Sequence, residues 1–245
     1  MSQADIRWVD TCGSTNSLIR TFADAPHGLT VATHCQTAGR GQRGNSWEAE
    51  PGKNLTFSIL LRPTAIEASR QFELSMIVAL AVADTVAEEL GNGATVDVKW
   101  PNDIYVDNRK ICGMLIENSL NGRNISSSIA GIGLNVNQLE FRSDAPNPVS
   151  LAQLDGRQRA LAPLLERMAA RITDDVARYG ATASEAGRLL ERYRGRLWHG
   201  TGMHTFSEPG GVPFEASITA VGPDGLLTLS NGRTYTFKEI IQHLD

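Results

Sequence analysis

Nine residues, Gly39-Arg40-Gly41-Gln42-Arg43-Gly44-Asn45-Ser46-Trp47, exclude more folds than any other stretch of the chain. Three glycines let the backbone adopt positive φ and approach a ligand, and two arginines add fixed charge, so the segment reads as an anion-gripping loop. Gly39 to Gly44 match G-x-G-x-x-G, but a dinucleotide-binding turn must open a helix at once. Here the cluster Glu48-Ala49-Glu50-Pro51-Gly52-Lys53 follows, and then Leu55-Thr56-Phe57-Ser58-Ile59-Leu60-Leu61, whose alternation predicts a strand. A Walker loop fails too, because Asn45 stands where its lysine belongs. What remains is a long basic loop between two strands, either functional or simply solvated.

The 245 residues suffice for one large domain, or one domain with a small appendage. A net charge of −4 disfavours nucleic acid as a bulk electrostatic partner. Cys12, Cys35 and Cys112 are odd in number and widely spaced, and the five histidines show no ligand spacing, so reduced thiols and no structural zinc are expected. The N-terminus has no apolar segment of the secretory kind, and no apolar run is long enough to span a bilayer. The expectation is a cytoplasmic protein without a membrane association.

Ile6 to Asp10 reads as a strand, followed by Cys12-Gly13-Ser14-Thr15-Asn16-Ser17, whose polar side chains suit either a helix N-cap or a ligand contact. A second strand, Leu29 to Gln36, delivers the chain into the glycine loop. Periodicity from Ala68 to Leu90 predicts a core helix ending at Gly91. Thr95 to Trp100 is a strand stopped by Pro101. Ile104 to Val106 and Lys110 to Glu117 form a hairpin about Asp107-Asn108-Arg109, which gathers Lys99, Asn102, Asp103 and Lys110. An edge hairpin with protective charges would account for Arg109 and Lys110, but not for Pro101-Asn102-Asp103. Gly131-Ile132-Gly133 inside a strand marks either a close approach or a β-bulge. Asp144-Ala145-Pro146-Asn147-Pro148 is a loop, Ser150 suits a cap, and two amphipathic helices carry Leu161 to Val176 and Ala186 to Leu197. From Trp198-His199-Gly200 onward, alternation and turn signals, Asn231-Gly232 foremost, predict a small all-β region.

Gly39 to Trp47, Lys99-Trp100-Pro101-Asn102-Asp103, Lys110-Ile111-Cys112-Gly113-Met114-Leu115-Ile116-Glu117 and Gly131-Ile132-Gly133-Leu134-Asn135 together resemble the motif set of biotin protein ligases, in order and in spacing. The resemblance runs from Ser14 to Leu244. It implies an α/β (α+β) fold: a mixed-sheet, class II synthetase-like catalytic domain over residues 1–198 and a small C-terminal SH3-like β-barrel over 199–245. It also implies an ATP-dependent ligase that converts biotin and Mg-ATP into biotinyl-5′-AMP and pyrophosphate. The biotin then passes to one lysine of a biotin carboxyl carrier protein domain, part of a biotin-dependent carboxylase or decarboxylase.

The same resemblance assigns roles. Arg40, Lys110 and Asp103 are the expected catalytic residues, with Asp103 assisting magnesium or accepting a proton from the incoming lysine. Ser14, Thr15, Asn16, Gln36 and Gly113 form the expected wall for the ureido ring of biotin, with Gly39, Arg40, Trp47 and Lys110 completing the biotin contacts. Arg43, Trp47, Asn102 and Asn135 are the expected nucleotide contacts. Gln42 replaces an arginine common in the family, so faster leakage of the adenylate is expected than from Gln42→Arg. Motifs starting at residue 14 leave no room for an N-terminal DNA-binding domain, so no DNA partner is expected; monomer and homodimer both stay open. A lipoate ligase or octanoyltransferase is the nearest rival and a single-strand nucleic-acid binder a remoter one. Cys112, beside Gly113, is expected to react with a bulky thiol reagent, with biotin protecting.

Overall fold

The strand signal of Leu55 to Leu61 locates the centre of the molecule, which this computed structural model describes over residues 5–22, 24–91, 93–142 and 146–244, with the side chain of Arg43 excluded. β1 (Ile6–Cys12) and β2 (Thr30–Gln36) pair in parallel, and β3 (Leu55–Leu61) joins β2 antiparallel. β4 (Val96–Lys99), β5 (Asp103–Val106), β6 (Arg109–Asn121) and β7 (Asn124–Leu134) form an antiparallel meander whose last strand closes on β3. The seven-stranded mixed sheet therefore runs β1-β2-β3-β7-β6-β5-β4. Asp107 and Asn108 both have positive φ, which suits the tight turn between β5 and β6.

Every residue of β3 is buried, because this inner strand is covered on both faces. Leu55, Phe57, Ile59 and Leu61 enter the main core, where the helix from Phe72 to Leu90 lies, while Leu60 joins Ile19, Leu29, Val31 and Ile129 under the short helix α1 (Thr15–Ile19). The longer helix, α2, starts after a 3-10 turn at Ala68–Arg70 and ends at Gly91, whose φ of 73° suits a residue without Cβ. Ser150 caps α3 (Leu151–Asp155) in a full capping box with Gln153. α4 (Leu161–Arg178) and α5 (Ala183–Arg194) cover α2. Leu197, expected on the last helix, lies beyond its end at Gly195 and bridges Val98 in parallel, so the chain leaves the helix to run along β4. Of the expected loop 144–148, Asp144 and Ala145 lie outside the described residues.

The C-terminal region holds two three-stranded antiparallel sheets. β8 (His204–Ser207) pairs with β9 (Phe214–Ala216) and with β13 (Ile241–Gln242). β10 (Ile218–Val221), β11 (Leu227–Leu229) and β12 (Thr234–Tyr235) form the other sheet, and Gly232 at the expected hairpin turn has a φ of 78°. Phe206, Leu227 and Tyr235 of these sheets belong to the same contiguous core as α2. Among the described residues no helix is long and apolar enough to cross a membrane.

Ile59 sits in the covered inner strand with no exposed surface. Ile59→Ala is expected to cost about 3 kcal/mol, read as a lower urea midpoint at unchanged slope.

Candidate functional site

Strand alternation gives the sheet one apolar face toward α2 and one face floored by small or polar residues. Thr56, Gly133, Gly113, Asp103 and Lys99 are successive cross-strand neighbours on β3, β7, β6, β5 and β4, so they form one row on one face. Two residues along, Ser58 pairs with Gly131 and Gly131 with Leu115 on that face. Above these rows lies a cavity of about 280 Å³.

The paired glycines are close-approach positions. A Cβ on Gly131 would lie 2.1 Å from Asn16 Oδ1, one on Gly133 2.3 Å from the Trp47 ring, and one on Gly113 2.9 Å from the same ring. The register is regular through Gly131 and Gly133, and the β6–β7 irregularity falls at Ser119/Leu120, so the bulge alternative does not hold there. What approaches is side chains of this chain, with Trp47 resting on the glycine floor. Its indole Nε1 is buried without a hydrogen-bond partner.

At one end of the cavity α1 contributes a polar wall. Ser14 occupies the N-cap position of α1 but makes no side-chain cap, and Thr15 N instead donates to Gln36 Oε1 at 2.9 Å. Asn16 Nδ2 donates to Glu117 Oε2 at 2.7 Å and to Leu115 O at 3.3 Å, so Asn16 Oδ1 must be the acceptor of its amide. Ser58 Oγ lies 2.6 Å from that oxygen and 2.8 Å from Thr15 Oγ1. A hydroxyl has one proton; Asn16 Oδ1 can only accept it, so the contact between Ser58 and Thr15 is made with Thr15 donating. The Thr15 oxygen is then left with a lone pair, while Gln36 keeps its Nε2 donors. The wall thus presents an acceptor and a donor side by side.

Cations gather elsewhere along the cavity. Lys110 Nζ lies 2.7 Å from Asp103 Oδ2 and 5.9 Å from the centroid of a Trp47 ring. Arg40 NH2 is 3.8 Å from Glu117 and donates to Ser17 Oγ at 3.3 Å, and Arg20 reaches the same carboxylate at 2.9 Å. Burial brings Lys99 down to about 8; nearby Asp103 opposes this shift and the charge of Lys110 adds to it. Asn102 donates through Nδ2 to Met114 O, which leaves its Oδ1 as an acceptor beside Asp103.

The structure therefore brings Ser14, Thr15, Asn16, Gln36 and Arg40 to one cavity with Trp47, Asn102, Asp103, Lys110 and Gly113. Gly39 is not on its surface, but its own Cβ would meet Gln36 Nε2 at 2.7 Å and Trp47 O at 2.8 Å, so it sits tightly behind both. Asn135 is buried off the cavity: Nδ2 donates to Val149 O and Oδ1 has no partner. Arg43 lies in the 3-10 turn Gln42–Gly44, and its side chain is outside the described set. Cys112 corrects the expectation made for it. Being next to Gly113 on a strand, it points the other way, into the core, with no exposed surface and a thiol raised by burial, so it is not open to a bulky reagent. Sequence reasoning missed Ser58, Glu117, Lys99 as a cavity residue, and Gln242. Ser58 and Glu117 act through other side chains and carry no local signal; Gln242 arrives from the far end of the chain.

Known proteins fit this geometry. The chain matches the biotin/lipoate A/B protein ligase family over residues 10–135, just over half of its length. It is 32% identical over 166 residues to a bifunctional ligase/repressor BirA of Bacillus spizizenii, covering 65% of this chain and 50% of that protein. It is 37% identical over 124 residues to a biotin–[acetyl-CoA-carboxylase] ligase of Paracoccus denitrificans, covering 50% of this chain and 51% of that one. The chain thus spans about half the length of these curated relatives. In fold it is similar to a biotin protein ligase from Aquifex aeolicus solved with biotin and ATP, with a TM-score of 0.75 at 21% identity, over 98% of this chain and 96% of the other.

Trp47 can rest on the sheet only while residue 133 lacks a Cβ. Gly133→Ala is expected to lift the ring and open the loop, so trypsin should cut after Arg40 several-fold faster than in the parent at equal global stability.

Proposed function

The chain belongs to the biotin/lipoate A/B protein ligase family, and from that premise we propose that it activates biotin with ATP as biotinyl-5′-AMP and transfers it to a lysine of a biotin carboxyl carrier domain. The observation that carries this reading is the composition of this cavity, with a donor–acceptor wall at α1, an apolar floor of glycines under Trp47, and lysines beyond. A cyclic urea offers N–H and C=O side by side, which complements Thr15 Oγ1 and Gln36 Nε2. An octanoyl or lipoyl chain has no group for either, and a site built to hydrogen-bond rejects a ligand that leaves its buried polar groups unpaired. That separates biotin from the other acyl groups of the family. The Paracoccus denitrificans relative is named a biotin–[acetyl-CoA-carboxylase] ligase, and this supports the same choice.

A carboxylate is too poor an electrophile for an amine, so it must first become an acyl phosphate. In the first step the biotin carboxylate oxygen attacks the α-phosphorus, and the bond to the β-phosphate oxygen breaks with its electron pair leaving on pyrophosphate. Lys110 and Arg40 screen the approach of the two anions. Among the described residues no group of three His, Cys, Asp or Glu side chains is placed to hold a metal. Asp103, with Asn102 Oδ1 beside it, suits a magnesium ion that arrives on the nucleotide, which is typically bound by one or two carboxylates plus substrate phosphates. That ion would neutralise phosphate charge. In the second step the carrier lysine attacks the acyl carbon and AMP leaves, with Asp103 accepting the amine proton. Trp47 covers the mixed anhydride and excludes water from it. Asn135 and Arg43 are proposed as nucleotide contacts on the resemblance alone; Asn135 Oδ1, though off the cavity surface, has no protein partner.

The deciding experiment supplies Mg-ATP with equal biotin, lipoate and octanoate and identifies the acyl-adenylate by mass spectrometry. Biotinyl-AMP alone supports the reading; lipoyl-AMP or octanoyl-AMP moves the protein within its family, and no adenylate removes the mechanism. Lys110→Ala is expected to slow biotinyl-AMP formation about 100-fold or more. Gln42→Arg is expected to retain the adenylate longer, measured as slower release of biotinyl-AMP in the absence of carrier; equal release rates would dismiss the role given to Gln42.

A further inference from the structure

A third row crosses the open face of the sheet two residues beyond Ser58 and Gly131, under α1. Leu60 and Ile129 are its neighbours on β3 and β7 and belong to the small core beneath that helix, but the next member, on β6, is Glu117. An apolar side chain would continue the row and leave no charge to satisfy. Glu117 does not line the cavity, and the activation step described above does not use it.

Its oxygens are divided among three groups. Oε1 takes Arg20 at 2.9 Å, while Oε2 takes Asn16 Nδ2 at 2.7 Å and has Arg40 at 3.8 Å. The two arginine side chains are 51% and 48% exposed, so water can serve them equally well. Asn16 is 4% exposed and has no such recourse. Gly131 holds the same amide from below, since a Cβ there would lie 2.1 Å from Asn16 Oδ1. The backbone oxygen of Leu115 accepts from Asn16 Nδ2 as well, at a longer 3.3 Å.

The orientation of that one amide reaches the cavity through two hydroxyls. Asn16 Oδ1 takes the Ser58 proton at 2.6 Å, the Ser58 oxygen takes the Thr15 proton at 2.8 Å, and Thr15 Oγ1 is left with a lone pair for a ligand N–H. Ser58 has no exposed surface, so its partners come from within this relay. With the amide turned over, Nδ2 would donate to Ser58, both hydroxyl protons would reverse, and Thr15 would donate into the cavity. The same wall would then choose a ligand acceptor where it now chooses a donor.

We propose that Glu117 is the positioning residue that makes the cavity selective for a cyclic urea, by holding the Asn16 amide in one orientation and so ordering the protons of Ser58 and Thr15. This rests on the biotin reading. A counter-ion for Arg20 and Arg40 would need only the charge of residue 117, whereas the relay needs only its acceptor.

The test uses the full chain and adenylate formation from biotin and from its two cyclic-carbamate analogues, in each of which one ring N–H is an ether oxygen. One analogue sets an acceptor against Thr15 Oγ1, and the parent is expected to use it about 100-fold less well than biotin in kcat/KM. Glu117→Leu is expected to narrow that ratio about tenfold or more, through KM, with kcat at saturating biotin within about threefold of the parent. Glu117→Gln loses the charge but keeps an amide oxygen for Asn16 Nδ2, and should hold the parent ratio within about threefold. Equal narrowing in the two variants, or an unchanged ratio in Glu117→Leu with all three ligands weakened alike, would overturn the assignment. Ser58→Ala cuts the relay without touching Glu117 and must narrow the ratio too, so an unchanged ratio there rejects the proposal even should Glu117→Leu fail to fold by circular dichroism. A parent that uses both carbamates as well as biotin rejects it also. A parent that forms no adenylate from biotin removes the biotin reading itself, and the proposal with it, independently of any variant.

Discussion

The site depends on a steric constraint: three residues of two neighbouring strands have no Cβ. Gly131, Gly133 and Gly113 lie side by side on β6 and β7, and they give Asn16 and Trp47 the space those side chains occupy. Glycine in a strand interior costs conformational entropy and supplies nothing to pack. Here the lost packing is replaced by larger groups descending from the loop and from α1. A cavity is thereby set into the face of a sheet whose opposite face, with Leu55, Phe57 and Leu134, is an ordinary core. Rigidity comes from the buried side and chemistry from the open one.

The second organising feature is the way the chain closes its own edge. β4 ends the sheet, and an uncovered edge presents unpaired backbone groups. Residues 196–198 cover it: Val98 N donates to Arg196 O, and Trp198 N donates to Val98 O. The same turn stacks the Trp198 ring on Tyr105, with centroids 5.2 Å apart, and sets it over Lys99. Trp100 Nε1 donates to Gly225 O, so the run from Lys99 to Asp103 is fastened to the turn between β10 and β11 as well as to the large sheet. The placement of the Lys99 cation is a consequence of edge protection.

Much of this was legible in the sequence. The glycine pairs, the tight turn at Asp107-Asn108 and the breaker after Trp100 each carry a local physical signature, and together they predict a sheet with a ligand on one face. The long helix follows from periodicity, though its expected first turn at Ala68 is 3-10 and the α-helix begins at Phe72, and the terminal β region follows from alternation with its turn signals. What stayed hidden is what depends on alternation across strands not yet paired. Cys112 and Gly113 are neighbours in sequence, yet one lies in the core and the other in the site; adjacency suggested reactivity where the pleat dictates burial. Asn135 is assigned to the nucleotide by resemblance alone; β7 ends at Leu134, and the Asn135 amide donates to Val149 O, a partner that local sequence does not reveal. Gln242 could not have been found, since nothing near Ile241-Gln242-His243 distinguishes it from any short edge strand.

Glu117 shows how selectivity can reside in a residue that need not touch the ligand. An amide at Asn16 could face either way, and a hydroxyl chain through Ser58 and Thr15 could run in either direction, so that the wall would accept donors and acceptors alike. A carboxylate at 117 removes the choice, because it can only accept from Asn16 Nδ2, as Leu115 O does. Every proton down the chain is then ordered, and the wall has one polarity. Reversing it would leave the half-buried Glu117 carboxylate facing an amide oxygen, and that repulsion is borne by the protein whichever ligand arrives. The discrimination is therefore built before binding, in the same way that the missing Cβ atoms shape the floor before Trp47 comes to rest on it.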